Sequence, residues 1–545
     1  MKAIKKILIV RLSSMGDIIL GLPAVEALKR ECPESEISFL CKKKYKSLLL
    51  DHPLISQVIE FDPQGDHKGI KGFKRLIKEL KALKFDLILD LHSNLRSFFI
   101  RNLLPAEIKT KYNKRWLARF LMVHFKPFPV RSEHTLDCYI ESLQRLGIKS
   151  EGRILRFYLK EKDVVWAKKF LSENGWDGER ILLGMAPGAR WNTKRWDKEK
   201  FARVVEILSR RFPLDLVLFG DKNDGDAISW ITEELSKKRE SKKNLSFIHS
   251  IDLPFNQVAG VLHNCDLLVT NDSGLMHLAS FLKVPVVAIF GPTHPRLGFS
   301  PLGLNSVVMT VNEKCSPCSL HGKRKCHRKE RYCMDRILPK EVAEQASSFL
   351  EQEKAVFLDR DGTLIHDKNF ISKVEDVEFV PGSIQAVKIL KDLGYKVVIV
   401  SNQSGIGRGI LTKEIVDKIN EFIVNQLKRD NLDIDGVYYC PHNPEDNCAC
   451  RKPNLEMVNQ AASRLNLSLK NSWAIGDKLS DVMLGKNMGG KGGLVLTGYG
   501  KKELEKIKGN SVVKPDFVVN TLLDGAFLIQ KEHRKRTKNY VKQDS

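Results

Sequence analysis

The stretch "VFLDRDGTL" (356–364) breaks an apolar run with two carboxylates. Val356 to Leu358 are branched or aromatic, the run is short, and a glycine at 362 closes it. Such a run reads as a buried parallel strand. Asp359 and Asp361 then project from its carboxyl end, which is where open α/β sheets bind ligands. Two carboxylates two residues apart suit a nucleophile and a general acid. A calcium loop is excluded: Gly362 is fourth rather than sixth in the loop, and Phe370 stands where the bidentate Glu is required. A plain structural turn is the remaining alternative.

Three further strand ends extend the pattern. "VVIVSNQSG" (397–405) ends on Ser401, a hydroxyl able to bond a phosphoryl oxygen. "CRKP" (450–453) supplies Lys452, a cation able to neutralise one. "AIGDKLSD" (474–481) ends on Asp477, placed to hold Mg²⁺, with Asp481 four residues on. In this order the four pieces resemble the motifs of the haloacid dehalogenase superfamily, a Rossmann-like α/β fold. The resemblance implies attack by Asp359 on a phosphate, an aspartyl-phosphate intermediate, and Asp361 as acid and then base. It implies Mg²⁺ held by Asp359, Asp361 and Asp477.

"CPHNPEDNCACRKP" (440–453) sets Cys440, His442, Cys448 and Cys450 against Arg451 and Lys452. The spacing C-x-H-x5-C-x-C is a closed set of N and S ligands and points to structural Zn²⁺. A metal there would clamp a polar loop and aim the two cations at the nucleophile. With "FLDRDGTLI", "SNQSGIGRG", "YYCPHNP" and "GDKLSD", residues 354–520 resemble the D-glycero-D-manno-heptose 1,7-bisphosphate 7-phosphatases. By that resemblance Asp367, Phe370, Ser401, Asn402, Gln403, Ser404 and Arg451 meet the substrate. Histidinol-phosphate phosphatases share the zinc loop, so histidinol phosphate stays open as the substrate.

Upstream, βα alternation begins anew twice. "KILIV" (6–10), "DLILDL" (86–91), "ILLGMA" (181–186), "LDLVLFG" (214–220), "DLLVT" (266–270) and "VPVVAIF" (284–290) read as buried parallel strands with helical spacing between them. The expected units are two doubly wound domains, 1–165 and 166–350, a third over 353–530, and a basic disordered tail, 531–545. "LIVRLSSMGD" (8–17) places Asp17 at a helix start, where an acid can simply cap the helix. "PGARWNTKRW" (187–196) offers Lys194 to phosphates. "TNDSGLMHLA" (270–279) leads Asp272, Ser273 and Gly274 from a strand into a helix whose free N–H groups form an anion site, with His277 on it. These motifs resemble the ADP-heptose:lipopolysaccharide heptosyltransferases of glycosyltransferase family 9, with "TNDSGLMH" closer to the type II enzymes. The resemblance implies a GT-B fold and inverting, metal-independent transfer to the lipopolysaccharide inner core. Asp17 would be the base, and Lys194 and 272–277 would hold ADP-heptose. One part would then dephosphorylate heptose bisphosphate on the way to the ADP-heptose that the other consumes.

Composition agrees with a globular enzyme: 545 residues, 42% hydrophobic, 29% charged, and no apolar run long enough to span a bilayer. The start, basic then apolar, is interrupted by Arg11 too early for a signal peptide, and a cytoplasmic chain is expected. A net charge of +24 calls for a polyanionic partner. Lys109 to Lys126 holds six Lys/Arg and no acid, with Trp116, Phe120 and Phe125 interleaved. That suits peripheral contact with an anionic membrane; a solvated helix with a buried apolar side is the plainer reading. A nucleic-acid 3′-phosphate is the rival substrate, but no stacking motif, recognition helix or P-loop supports a nucleic-acid partner. Cys315, Cys318, Cys326 and Cys333 form a second cluster that fits a metal site or plain thiols equally.

Overall fold

The computed structural model describes residues 4–125, 133–148, 155–178, 180–237, 245–303, 305–510 and 514–541. The chain divides into two compact units, Met1–Leu350 and Glu351–Ser545.

The first unit holds two sheets. β1 (Lys6–Val10), β2 (Glu36–Lys42), β3 (Gln57–Phe61), β4 (Leu87–Asp90) and β5 (Ile108–Lys111) form a parallel sheet in the order β3-β2-β1-β4-β5. β6 (Ile181–Ala186), β7 (Leu214–Gly220), β8 (Phe247–Ile251), β9 (Leu267–Asn271), β10 (Val286–Ile289) and β11 (Ser306–Met309) form the second, in the order β11-β10-β9-β6-β7-β8. The helix Met15–Leu20 of the first sheet packs on Gly274–Phe281 of the second. The helix Glu161–Glu173 packs on Phe255–Asn264, so the second sheet's layer begins slightly before residue 166.

The second unit has one parallel sheet. β12 (Ala355–Leu358), β13 (Lys396–Asn402), β14 (Gly436–Cys440), β15 (Trp473–Gly476), β16 (Lys491–Val495) and β17 (Phe517–Val519) run in the order β14-β13-β12-β15-β16-β17. All four residues of β12 are fully buried, as a central strand with helices on both faces requires.

Each sheet winds outward in both directions from a central pair, and strand order reverses at that pair: β1 beside β4, β6 beside β9, β12 beside β15. At such a reversal the connections leave to opposite faces and open a crevice at the strands' carboxyl ends. Asp17 follows β1, Lys194 and Asp272 follow β6 and β9, and Asp359 and Asp477 follow β12 and β15. These carboxylates and Lys194 thus lie at points where the topology makes a cleft.

The six strands expected upstream all form. β3 and β5 were not singled out; they are edge strands whose partly exposed faces carry polar and charged residues, and they lack a continuous apolar run. The segment expected to be a disordered tail is instead helical, within Leu522–Val541. Leu522, Ala526 and Ile529 bury one side of its start, and it packs on Ser383–Asp392. The Lys- and Arg-rich continuation is made of good helix formers that prolong an anchored helix. Residues 542–545 lie outside the described residues. Among the described residues no helix is long and apolar enough to cross a membrane.

Candidate active sites

In the second unit the pairing of Leu358 with Ile475 sets the ends of β12 and β15 side by side. Asp359, Asp477 and Asp481 converge there, their ligand oxygens within 4.8 Å of one another and all three buried. Lys452 crosses to meet them. Its Nζ lies 2.8 Å from Asp359 Oδ1 and 2.6 Å from Asp481 Oδ1, and it donates to the Val400 carbonyl at 2.9 Å. Burial opposes the ammonium charge, but Asp359 and Asp481 outweigh it and hold the Lys452 pKa above its usual value. One cation does not balance three carboxylates. Burial, followed by repulsion from Asp359, pushes Asp477 up to about 8. Asp477 Oδ1 is buried with no hydrogen-bond partner. A buried, orphaned carboxylate oxygen beside two more carboxylates suits a hard divalent cation. Gly362 makes room for this cluster: it sits at φ +81°, and a Cβ there would meet Asp477 Oδ2 at 2.3 Å.

Asp361 points elsewhere, and its carboxylate is not one of the three that converge. Arg360, 1% exposed, forks across it, with Nε 3.0 Å from Oδ2 and Nη2 3.1 Å from Oδ1. The third arm of Arg360 is fixed by Asn420 Oδ1 at 3.0 Å. Gln403 Nε2 donates to Asp361 Oδ2 and to Ser401 Oγ, both at 2.7 Å, joining the second carboxylate to the hydroxyl after β13. Arg360 and Asn420 escaped the sequence reading: nothing in one sequence marks a buried arginine between two aspartates. Asn402 and Lys452 exchange hydrogen bonds, 2.9 Å from Lys452 N to Asn402 Oδ1 and 3.3 Å in return. Ser404 begins the short helix after Gln403. On the open side Lys478 Nζ lies 3.6 Å from Asp367, and Tyr499 donates to Asn369 at 3.2 Å beside half-exposed Phe370.

Cys440, His442, Cys448 and Cys450 come together at the end of β14. The donor separations are 3.2 Å from Cys450 Sγ to both Cys440 Sγ and His442 Nδ1, 3.4 Å from Cys448 Sγ to each of the other two sulfurs, and 3.6 Å from Cys440 Sγ to His442 Nδ1. Four N and S donors all within 4.8 Å of one another form a set able to hold one metal ion. Arg451 donates to the His442 carbonyl at 3.3 Å, and Asn454 to the Cys448 carbonyl at 2.8 Å, so the loop is tied directly to the residues flanking Lys452.

In the first unit one cleft of about 1370 Å³ gathers Asp17, Lys194, Asp272, Ser273, Gly274 and His277. Asp17 does cap its helix: Oδ2 accepts from Ser14 N at 3.1 Å and Ser14 Oγ at 2.8 Å. It also pairs with Arg11 Nη2 at 2.6 Å. Burial works against the charge on Asp17, yet Arg11 and Ser14 overcome it and bring the pKa down to about 2. The capping and charged roles belong to one carboxylate. Lys194 Nζ lies 2.6 Å from Asp272 Oδ2, and Thr293 Oγ1 donates to the same oxygen at 2.6 Å. Asn271, absent from the sequence reading, accepts from Trp196 N at 3.0 Å and donates to the Pro187 carbonyl at 2.7 Å, locking the Lys194 segment to the end of β9. His277 is buried and held near a pKa of about 4 by desolvation, hence neutral. Lys114, Trp116 and Arg119 reach the same cleft, while Lys126 lies outside the described residues.

Residues 73–328 match glycosyltransferase family 9 (heptosyltransferase), and residues 449–525 match the HAD-hydrolase-like family. A D-glycero-beta-D-manno-heptose-1,7-bisphosphate 7-phosphatase of Helicobacter pylori strain J99 is 43% identical over 145 residues, 26% of this chain and 83% of its own. A solved family 9 glycosyl transferase from Veillonella parvula is 25% identical and covers 64% of this chain and 97% of its own, with a TM-score of 0.52. The D,D-heptose 1,7-bisphosphate phosphatase of B. bronchiseptica, crystallised with magnesium and phosphate, is 31% identical over 33% of this chain and 99% of its own, at a TM-score of 0.31.

Proposed function

The chain belongs, through its second unit, to the D-glycero-β-D-manno-heptose-1,7-bisphosphate 7-phosphatase family; with a family 9 glycosyltransferase region ahead of it, we propose that it is a bifunctional enzyme of lipopolysaccharide heptose metabolism. The second unit removes the 7-phosphate of heptose bisphosphate. The first transfers heptose from ADP-heptose to the lipopolysaccharide inner core.

The observation that carries the hydrolase reading is Lys452 bridging Asp359 and Asp481 at the β12–β15 reversal. Asp359 attacks the phosphorus, and the bond to the sugar O7 breaks. Asp361, aimed by Arg360 and Gln403, delivers a proton to O7. The same group then takes a proton from the water that opens the aspartyl phosphate, releasing phosphate and restoring Asp359. Lys452 and the Ser401 hydroxyl offset charge on the phosphoryl oxygens. Asp359, Asp477 and Asp481 would hold Mg²⁺, which supplies positive charge where carboxylates face an anion. Asp367, Phe370 and Arg451 border the sugar. The Cys440–His442–Cys448–Cys450 set takes Zn²⁺ as a structural ion: a soft, closed N/S donor set leaves no position for substrate.

In the first unit Asp17 accepts the proton of the acceptor hydroxyl as that oxygen attacks the anomeric carbon and the bond to ADP breaks. With a pKa near 2 it is ionised at neutral pH but weakly basic. It therefore takes the proton only as bond formation makes the hydroxyl acidic. Lys194 leaves Asp272 to meet the diphosphate, aided by the N–H groups at the start of Gly274–Phe281. Trp116, Leu117 and Phe125, 63%, 60% and 58% exposed among the cations of 109–119, support contact with an anionic bilayer on its cytoplasmic side.

The test is phosphate release from both anomers of heptose bisphosphate and from histidinol phosphate, alongside heptose transfer from ADP-heptose. The β anomer should be preferred, as in the name of the 7-phosphatase family. Equal turnover of histidinol phosphate, or no heptose transfer by a folded chain, would overturn the corresponding half.

A further inference from the structure

Between β11 and the helix Pro339–Leu350 the chain runs from residue 310 to 331 without strand or α-helix. A loop this long persists in a compact fold only if something holds it. Its composition does not: Lys323, Arg324, Lys325, Arg328, Lys329 and Arg331 are cations, and it carries almost nothing apolar to bury. What it does carry is Cys315, Cys318 and Cys326, with Cys333 just beyond on the short helix Tyr332–Asp335. All four line one cavity of about 20 Å³, room for roughly one water-sized occupant. None of the four is in a disulfide. Cys333 is buried, and the other three cysteines line the same cavity.

We propose that Cys315, Cys318, Cys326 and Cys333 form a second structural metal site, a four-thiolate tetrahedron for Zn²⁺ or an equally thiophilic divalent ion, which clamps the cationic loop behind Lys194. The spacing C-x2-C-x7-C-x6-C begins with the C-x2-C half-site common to such sites. Four thiolates around a dication leave a net charge of −2, and the flanking lysines and arginines offset it. The sulfurs stand further apart than the donors of the 440–450 loop, which alone with the Asp359 cluster fall within 4.8 Å among the described residues. A change of staggered χ1 moves a cysteine sulfur by about 3 Å, enough to draw the loop thiols together.

The clamp has a mechanical consequence, which rests on the transferase reading above. Thr193 N and Thr193 Oγ1 both donate to the Lys323 carbonyl, at 3.2 and 2.9 Å, and Lys323 N donates back to Thr193 Oγ1 at 2.8 Å. Gly322, at φ +95°, lies so close that a Cβ would meet Lys194 Cγ and Cδ at 2.9 Å. Arg331 Nη1 donates to the Arg195 carbonyl at 2.7 Å. The loop thus forms the back wall of the segment that presents Lys194.

Elemental analysis of the full chain, purified with zinc and iron both quantified, tests the site. Wild type should hold about two thiophilic metal ions per chain. Cys448→Ser and Cys318→Ser should each lose about one, and the double variant both. Should Cys318→Ser fail to fold, Cys326→Ser, on the exposed part of the loop, must lose the same ion with an unchanged circular dichroism spectrum. It should also slow heptose transfer about tenfold without changing phosphate release. Metal content no greater than Cys448→Ser removes, or retention of both ions by a folded Cys318→Ser or Cys326→Ser chain, refutes the site. The count needs no substrate, so it stands or falls apart from the identity of the donor sugar.

Discussion

Replacing Lys452 by Met keeps the length of the side chain and removes its charge. In the wild-type chain that charge sits 2.8 Å from Asp359 and 2.6 Å from Asp481, with the side chain only 2% exposed. Removing one partner of a buried pair leaves an uncompensated ion and costs about 3–5 kcal/mol. Three carboxylates would then share the pocket with Lys478, on its open side, as the remaining cation. The sign of the pH dependence follows. Asp477 is already raised to about 8 and Asp481 is raised as well, both by burial first; losing Lys452 raises them further. An acid whose folded pKa exceeds its unfolded value destabilises the fold progressively as pH rises from the unfolded pKa through the folded one. The deficit should therefore be small near pH 5 and still growing through pH 8, and added Mg²⁺ should narrow it. Amide hydrogen exchange of peptides covering β12 and β15 reads this unit separately from the first. At pH 8 without metal, 3–5 kcal/mol corresponds to exchange faster by roughly 10²- to 10³-fold or more. An equal loss at both pH values would mean that Lys452 matters for packing rather than charge, and the account of the pocket would be wrong.

Asp359→Asn should lower phosphate release by about 10³-fold or more and leave heptose transfer intact, while Asp17→Asn should do the reverse; a well-folded variant that loses both activities would refute independent sites. Gly362→Ala should abolish phosphate release, because the added methyl needs the space of Asp477 Oδ2 and a φ of +81°; wild-type turnover would show that the cluster yields. Arg11→Met leaves only the Ser14 hydrogen bonds to oppose burial at Asp17, so its pKa should rise above 2. The pH profile of transferase kcat/KM should then gain an acid limb nearer neutrality, and an unchanged profile would sink the pairing.

The chemistry was legible because it is local. Asp359, Ser401 and Asp477 each end an apolar run, and the residue at the end of a buried parallel strand has one place to go; Lys452 reaches them from the loop after β14. The 440–450 donors lie within eleven residues, so spacing alone nearly determines their geometry. The same holds for Asp17 and for 272–277, each at a strand-to-helix turn. The tail at 531–541 was misread for the complementary reason: its charge suggests disorder, but Leu522, Ala526 and Ile529 anchor the helix from which it grows. Sequence also could not say which carboxylates converge. Asp361 is two residues from Asp359, yet Arg360 and Gln403 bind it, while Asp481, on the helix after β15, meets Lys452 beside Asp359. Nor could it say that Asp17 is held by Arg11, that Lys194 rests on Asp272, or that four cysteines spread over nineteen residues meet at one cavity. Strand-end chemistry follows from periodicity along the chain; partner choice follows from strand order across the sheet, and only the tertiary fold sets that order.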